Sequence, residues 1–163
     1  MSVQTNYTVY IRKELVGNLY GLTYTNSDRE SAMAAGLVSW GQGVKRGTGE
    51  RKCIQGGVVG GMLYGIAIRS INREENTRPG DGTISYKQGE EVAVLREGTI
   101  AVMAKSAVTR DGQVYVDDAT GEFYGTAGTG RTLALNAKFE RANGVGEVTL
   151  VNITRARQFE AAY

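Results

Sequence analysis

From residue 53 onward, apolar and polar residues alternate in short runs broken by glycine or by Asp/Asn pairs, the pattern of strands joined by tight connections. LYGIAIRSI (63–71), TISYKQ (83–88), EVAVL (91–95), GTIAVMA (98–104), QVYVD (113–117), EFY (122–124), LALNAKFERA (133–142) and GEVTLVNI (146–153) are the candidates, about eight strands in a hundred residues. Between them, Asp81-Gly82, Arg96-Glu97-Gly98, Asp111-Gly112, Thr120-Gly121 and Asn143-Gly144 can supply the positive φ angles of hairpin turns. In EVAVL, Val92 and Val94 share a face; in QVYVD, Val114 and Val116 share one with Tyr115 opposite. A slip of one residue would exchange the core and solvent faces. The expectation is an all-β, largely antiparallel fold, a compact β-barrel, β-tulip-like domain or sandwich with extended N- and C-terminal arms.

The first fifty residues differ in texture. NYTVYI (6–11) reads as a possible strand, whereas SDRESAMAAG (27–36) runs from a capping box, Ser27 to Glu30, to a stop at Gly36 and predicts one or two helical turns. GQGVKRGTGERK (41–52) reads as a glycine-rich basic loop that a partner would order, with Lys45, Arg46, Arg51 and Lys52 beside the single acid Glu50. The chain thus divides into an N-terminal arm with a short helix (1–35), a barrel-like domain (36–153) and a C-terminal tail (154–163).

Composition narrows the chemistry. At 163 residues, 41% hydrophobic and 22% charged, the chain fits one domain with its own core, and no apolar run is long enough to cross a bilayer. The start, MSVQTNYTVYIRKEL, lacks a secretory pattern, so synthesis in the cytosol is expected, and the sequons NYT and NIT are read as chance. Histidine is absent, which removes the commonest general base and neutral metal ligand, and the single Cys53 excludes an intramolecular disulfide or a cysteine-based zinc site. A net charge of +2, with cations interspersed among acids as in INREENTRPGD, gives no reason to expect nucleic-acid binding. Glycine, 23 of 163 residues or about twice the usual share of roughly 7%, marks turns here, since proline is nearly absent and no repeat period is visible.

Three motifs invite a catalytic reading. GTAGTGRT (125–132) imitates a phosphate-binding loop, but no helix pattern follows it and Arg131 stands where lysine belongs, so it is read as a turn between two strands in a hairpin. The pairs Glu74-Glu75, Glu90-Glu91 and Asp117-Asp118 are adjacent residues that a strand would point to opposite faces, and they read as solvated carboxylates. Cys53, beside Arg51 and Lys52, has a setting that could activate a thiol, but burial as a small apolar residue is the preferred reading. No catalytic, cofactor-binding or metal residue is assigned, and the chain is not expected to be an enzyme.

The positions that suggest contact lie elsewhere. The basic segment suits docking onto an acidic protein surface, with Trp40 at its edge and Lys45 and Arg46 within it. Tyr7 and Tyr10, with Arg12, belong either to an interface or to a strand packed on its own core. The tail TRARQFEAAY, carrying Arg155, Arg157, Phe159 and Tyr163, is either a frayed end or an interaction arm.

The order YKQGEEVAVLREGTIAVMA (86–104), GQVYVDDATGEFYG (112–125) and AKFERANGVGEVTLVNI (137–153) resembles the phage capsid decoration proteins known as structural cement proteins, over residues 36 to 153. The shared features are Gly89 ahead of Val92 and Val94, Gly98 ahead of Ile100 and Val102, the hairpin from Val116 to Gly121, and the closing Ala142 to Val148. The opening VYIRKELVGNLYGLTYTNSDRES departs from the family's proline-rich start, which leaves the mode of N-terminal anchoring open. The resemblance implies a virion protein on the outer capsid surface, made in the host cytoplasm. It would bridge major capsid protein subunits and reinforce the expanded shell, pairing with itself as a homodimer or homotrimer at local symmetry axes. It implies no enzyme activity, cofactor, nucleic acid or membrane. The competing expectation is a β-barrel module that binds carbohydrate or another host-surface ligand.

Overall fold

The computed structural model describes residues 15–21, 27–70 and 85–155, and their regular elements are strands. These are β1 (Asp28–Ala34), β2 (Val38–Ser39), β3 (Gly43–Arg46), β4 (Lys52–Gln55), β5 (Gly65–Ala67), β6 (Ser85–Tyr86), β7 (Glu91–Met103), β8 (Gln113–Asp117), β9 (Phe123–Tyr124), β10 (Arg131–Phe139) and β11 (Val148–Ile153). The fold is all-β, as the alternating pattern requires. NYTVYI and the Asp81-Gly82 turn lie outside the described residues.

Strand β7 organises the molecule. Its first half closes a five-stranded barrel in the order β1-β4-β3-β5-β7, with β7 returning to β1, and its second half carries the sheet on through β11, β10, β8 and β9. A single parallel bridge between Ala104 and Phe123 brings β9 back beside the end of β7. Pairing is antiparallel throughout the larger sheet except between β1 and β4, where Met33 stands opposite Lys52 and Ala34 opposite Cys53.

Two apolar clusters follow from this arrangement. Val92 and Val94 point into the barrel with Ala32, Val38, Val44 and Tyr86, whereas Leu95, Ile100 and Val102 join Val114, Val116, Phe123, Phe139 and Val151. To face the second core at both Leu95 and Ile100, the strand must change parity between them. It does so at a bulge: Arg29 pairs with Leu95 and Asp28 with Glu97, leaving Arg96 without a partner on β1, and Gly98 has φ +137°. The turn expected at Arg96-Glu97-Gly98 is therefore a bend within one 13-residue strand. A glycine ahead of a β-branched run serves either purpose, and here both halves find long partners, β1 and β11.

Three other expectations are corrected. The helical turns of 27–36 give way to β1, whose Ala32 and Ala34 are buried while Arg29, Ser31 and Met33 face outward. The capping-box glutamate is spent on tertiary partners, and pairing with β7 overrides the local helix signal. The basic segment 41–52 is not a loop awaiting order but largely the β3–β4 hairpin, in which Arg46 opposes Cys53 and Lys45 opposes Ile54. GTAGTGRT does not close a hairpin, because β9 and β10 lie on opposite sides of β8 and the segment passes from one to the other. A strand, not a helix, follows it.

The two halves are tied by polar contacts where backbones approach. Asn136 on β10 accepts from the Leu63 N–H at 2.8 Å and donates to the Leu63 carbonyl at 2.9 Å and the Thr154 carbonyl at 2.8 Å, so its buried amide is satisfied on both ends. The Gly43 N–H donates to the Gly121 carbonyl at 2.8 Å, an approach that leaves no room for a side chain at Gly121.

Candidate functional site

The β3–β4 hairpin carries four cations, Lys45 and Arg46 on β3, Arg51 in the turn and Lys52 on β4, with the single acid Glu50 beside Arg51. Its turn is held by the Gly47 N–H donating to the Lys52 carbonyl at 2.8 Å, with Arg51 in the left-handed region at φ +53°. β1 straps it from the side, the Met33 N–H donating to the Arg51 carbonyl at 2.6 Å and the Ala35 N–H to the Cys53 carbonyl at 2.8 Å.

A hollow on one side is lined by Glu30, Arg46, Glu50, Arg51, Lys52 and Tyr64. Behind Glu30 and Tyr64, Arg96, almost fully buried, donates to Glu30 at 2.5 Å, and its guanidinium lies 3.9 Å from the Tyr64 ring centroid, with that of Arg46 at 5.2 Å. Burial works to raise the Glu30 carboxyl, but hydrogen bonds from Tyr64 and Arg96, with the positive charges of Arg96 and Arg46, hold it below the usual carboxylate range. Burial pushes the Tyr64 hydroxyl up, and its bond to Glu30 adds to the effect. The hollow on the other side is lined by Met33, Lys45, Lys52, Ile54 and Gln88.

Of the positions expected to make contacts, Lys45 and Arg46 lie together on this hairpin. The Lys45 ammonium also donates to the Asp118 carbonyl at 3.3 Å. Arg155 is exposed and pairs with Asp28 at 3.0 Å. Trp40 is a correction: it is only 7% exposed, sits in the barrel core, and has the Arg69 guanidinium 4.8 Å from its ring centroid, so it offers no outer aromatic face. Tyr7, Tyr10, Arg12, Arg157, Phe159 and Tyr163 lie outside the described residues. The sequence reading missed Met33 and Ile54, whose outward direction follows only once 27–36 and 52–55 are recognised as strands.

The other motifs have structural employment where they are described, and the pair Glu74-Glu75 lies outside the described residues. The Asp117 carboxylate accepts from the N–H groups of Thr120 at 2.8 Å and Ala119 at 2.9 Å, and these bonds, that of Thr120 foremost, hold it below its usual range. Asp118 accepts from the Thr132 hydroxyl at 3.0 Å, Glu90 from the Lys87 N–H at 2.5 Å, and Glu91 from the Ser31 hydroxyl. Arg131 of the GTAGTGRT segment stacks 3.5 Å from the Tyr124 ring centroid. Cys53 is wholly buried, and burial, with the Glu30 charge, pushes its thiol up to about 11, the reverse of activation.

The fold and sequence have relatives. A chain in the capsid of Myoviridae phage XM1 aligns with a TM-score of 0.69 at 16% identity, over 94% of this chain and 98% of that one. The N base of head fiber gp8.5 in bacteriophage phi29 aligns with a TM-score of 0.50 at 11% identity, over 80% and 97%. At such identities the likeness is one of fold. No curated protein matches the sequence. The family model for the structural cement protein (E217 gp24/Pam3 gp6) matches residues 3–154, which takes in the barrel and the attached sheet together. The chain belongs to the phage structural cement protein family.

Proposed function

We propose that this chain decorates the outer surface of a phage capsid, where it bridges neighbouring major capsid protein subunits and stabilises the expanded shell. The observation that carries the reading is the family match across residues 3–154, and the likeness to a chain of the phage XM1 capsid supports it through the fold. A structural family supports a role without catalysis, and Asp117, Asp118, Glu30 and Cys53 are engaged in turns, an ion pair and the core.

Cementing works by adding contacts that break together only if the linker itself is stiff, because binding several subunits at once multiplies weak affinities when geometry permits simultaneous engagement. The shared strand β7 and the Asn136 cross-tie give this chain that stiffness. The N-terminal arm, through Tyr7, Tyr10 and Arg12, and the C-terminal tail (154–163), through Arg155, Arg157, Phe159 and Tyr163, reach neighbouring subunits, and copies associate as dimers or trimers at local symmetry axes. Empty capsids mixed with purified protein and pelleted should carry the full-length chain, and should lose it on removal of residues 1–12 or 155–163. Unchanged occupancy for both truncations would refute the arms, and bare capsids at saturating full-length protein would refute decoration.

A further inference from the structure

We propose that the β3–β4 hairpin is the surface through which this chain grips its capsid partner, and that it recognises a segment of that partner bearing carboxylates around an apolar anchor. The inference rests on the decoration reading and assigns the chemistry of one contact within it.

Positive charge on the hairpin is in excess: four cations stand beside the single acid Glu50, and of the four only Arg46 shares in holding Glu30. Among the described residues, none of Lys45, Arg46, Arg51 and Lys52 makes an ion pair; of the two carboxylates that line the hollow, Glu30 is already engaged by Arg96 at 2.5 Å and by the Tyr64 hydroxyl, and Glu50 in the turn offsets one of the four charges. The whole chain carries a net charge of only +2, so this is a local concentration and not the spill of a basic protein. Its cations stand on a scaffold already fixed by the bonds from Met33 and Ala35, and a preordered surface loses less entropy on binding than a loop that must first be ordered.

The patch is not purely ionic. Met33 is 47% exposed and Ile54 37%, and the two line a hollow of about 540 Å³ with Lys45 and Lys52 at its edge. Apolar side chains bounded by cations match a partner whose aliphatic side chain seats on Met33 and Ile54 while carboxylates meet Lys45, Lys52 and Arg51. Nucleic acid fits less well, because single strands want aromatic faces on which bases stack, and the Tyr64 ring already has two guanidiniums against it.

The test compares full-length chain with Arg51→Glu/Lys52→Glu, and with Arg110→Glu/Lys138→Glu as a control that reverses the same number of exposed charges elsewhere. Each protein is titrated onto purified capsids after its melting temperature is checked. The hairpin variant should bind at least about tenfold more weakly, with a shallower salt dependence, and the control within about threefold of the parent. Met33→Ser/Ile54→Ser should also weaken binding while leaving the salt dependence unchanged. If the parent binds and the hairpin variant binds equally well, the surface lies elsewhere while decoration stands. If the parent itself fails to bind, decoration falls and this inference with it. Polyglutamate should displace the bound protein more readily than a short DNA duplex of equal charge, and the opposite ranking would overturn the assignment in favour of nucleic acid.

Discussion

Arg96 reaches across 66 positions of sequence to donate to Glu30 at 2.5 Å, from the one residue of the β7 bulge that has no partner on β1. The extra residue that lets β7 serve two cores thus also places a buried cation, and Glu30 neutralises it. Glu30→Ala should destabilise the protein by about 2 kcal/mol, below the usual cost of orphaning a fully buried charge because Glu30 is itself partly exposed. Adding Arg96→Met should recover much of that loss. Urea denaturation of the single and double variants measures both, and a neutral Glu30→Ala would contradict the role given to the pair.

Acid should weaken the fold through the same carboxylate. Glu30 and Asp117 are both held below their ordinary values of 4.5 and 3.8, so the stability each contributes is present above those values and is lost as pH falls through the lowered folded ones. The melting temperature should therefore drop as pH falls below about 4.5, and Glu30→Gln should flatten the upper part of that drop. An identical acid profile for the variant would remove Glu30 from the account.

Cys53 contributes to the loss of stability in alkali. Its thiol is raised from 9.0 to about 11 by burial, so the native state resists ionisation that the unfolded chain accepts. The stability this represents is complete below pH 9 and fades as pH rises toward 11, and Cys53→Ala should lessen that decline. At neutral pH the thiol should react with a chromogenic disulfide only when the protein is unfolded in urea. Prompt reaction in the native protein would contradict its burial.

Two glycines of similar backbone separate conformation from contact. Gly121 has φ +71° and a side chain there would meet the Gly43 carbonyl at 2.3 Å, whereas Gly130 has φ +73° and open space around it. Gly130→Ala should cost about 1 kcal/mol for the left-handed backbone alone, and Gly121→Ala about 3 kcal/mol or more because the barrel and the β8–β9 turn must also separate. Equal costs in chemical denaturation would show that the close approach does not hold the halves together.

Strand β8 was legible because its signal is local: Val114 and Val116 alternate with Tyr115, and burial follows that alternation. β1 was not, and β7 was legible only as two separate strands, because what decides the helix signal of one and the continuity of the other is distant. Ala32 and Ala34 favour a helix in isolation and become strand only when β7 lies beside them, and Gly98 reads as a turn until both halves of β7 have partners. The candidate contact surface was half legible for the same reason. Lys45, Arg46, Arg51 and Lys52 are visible as charge in any conformation, whereas the exposure of Met33 depends on β1 being a strand. Trp40 was misplaced because an aromatic beside a glycine-rich stretch looks like a loop edge, while the chain there turns inward and buries the ring in the barrel.

The measurement closest to the central claim is cryo-electron microscopy of capsids saturated with this chain. Decoration predicts added density on the outer shell, into which the β7-centred fold can be placed with the β3–β4 hairpin against the major capsid protein. Capsids that remain bare at saturating protein would contradict it.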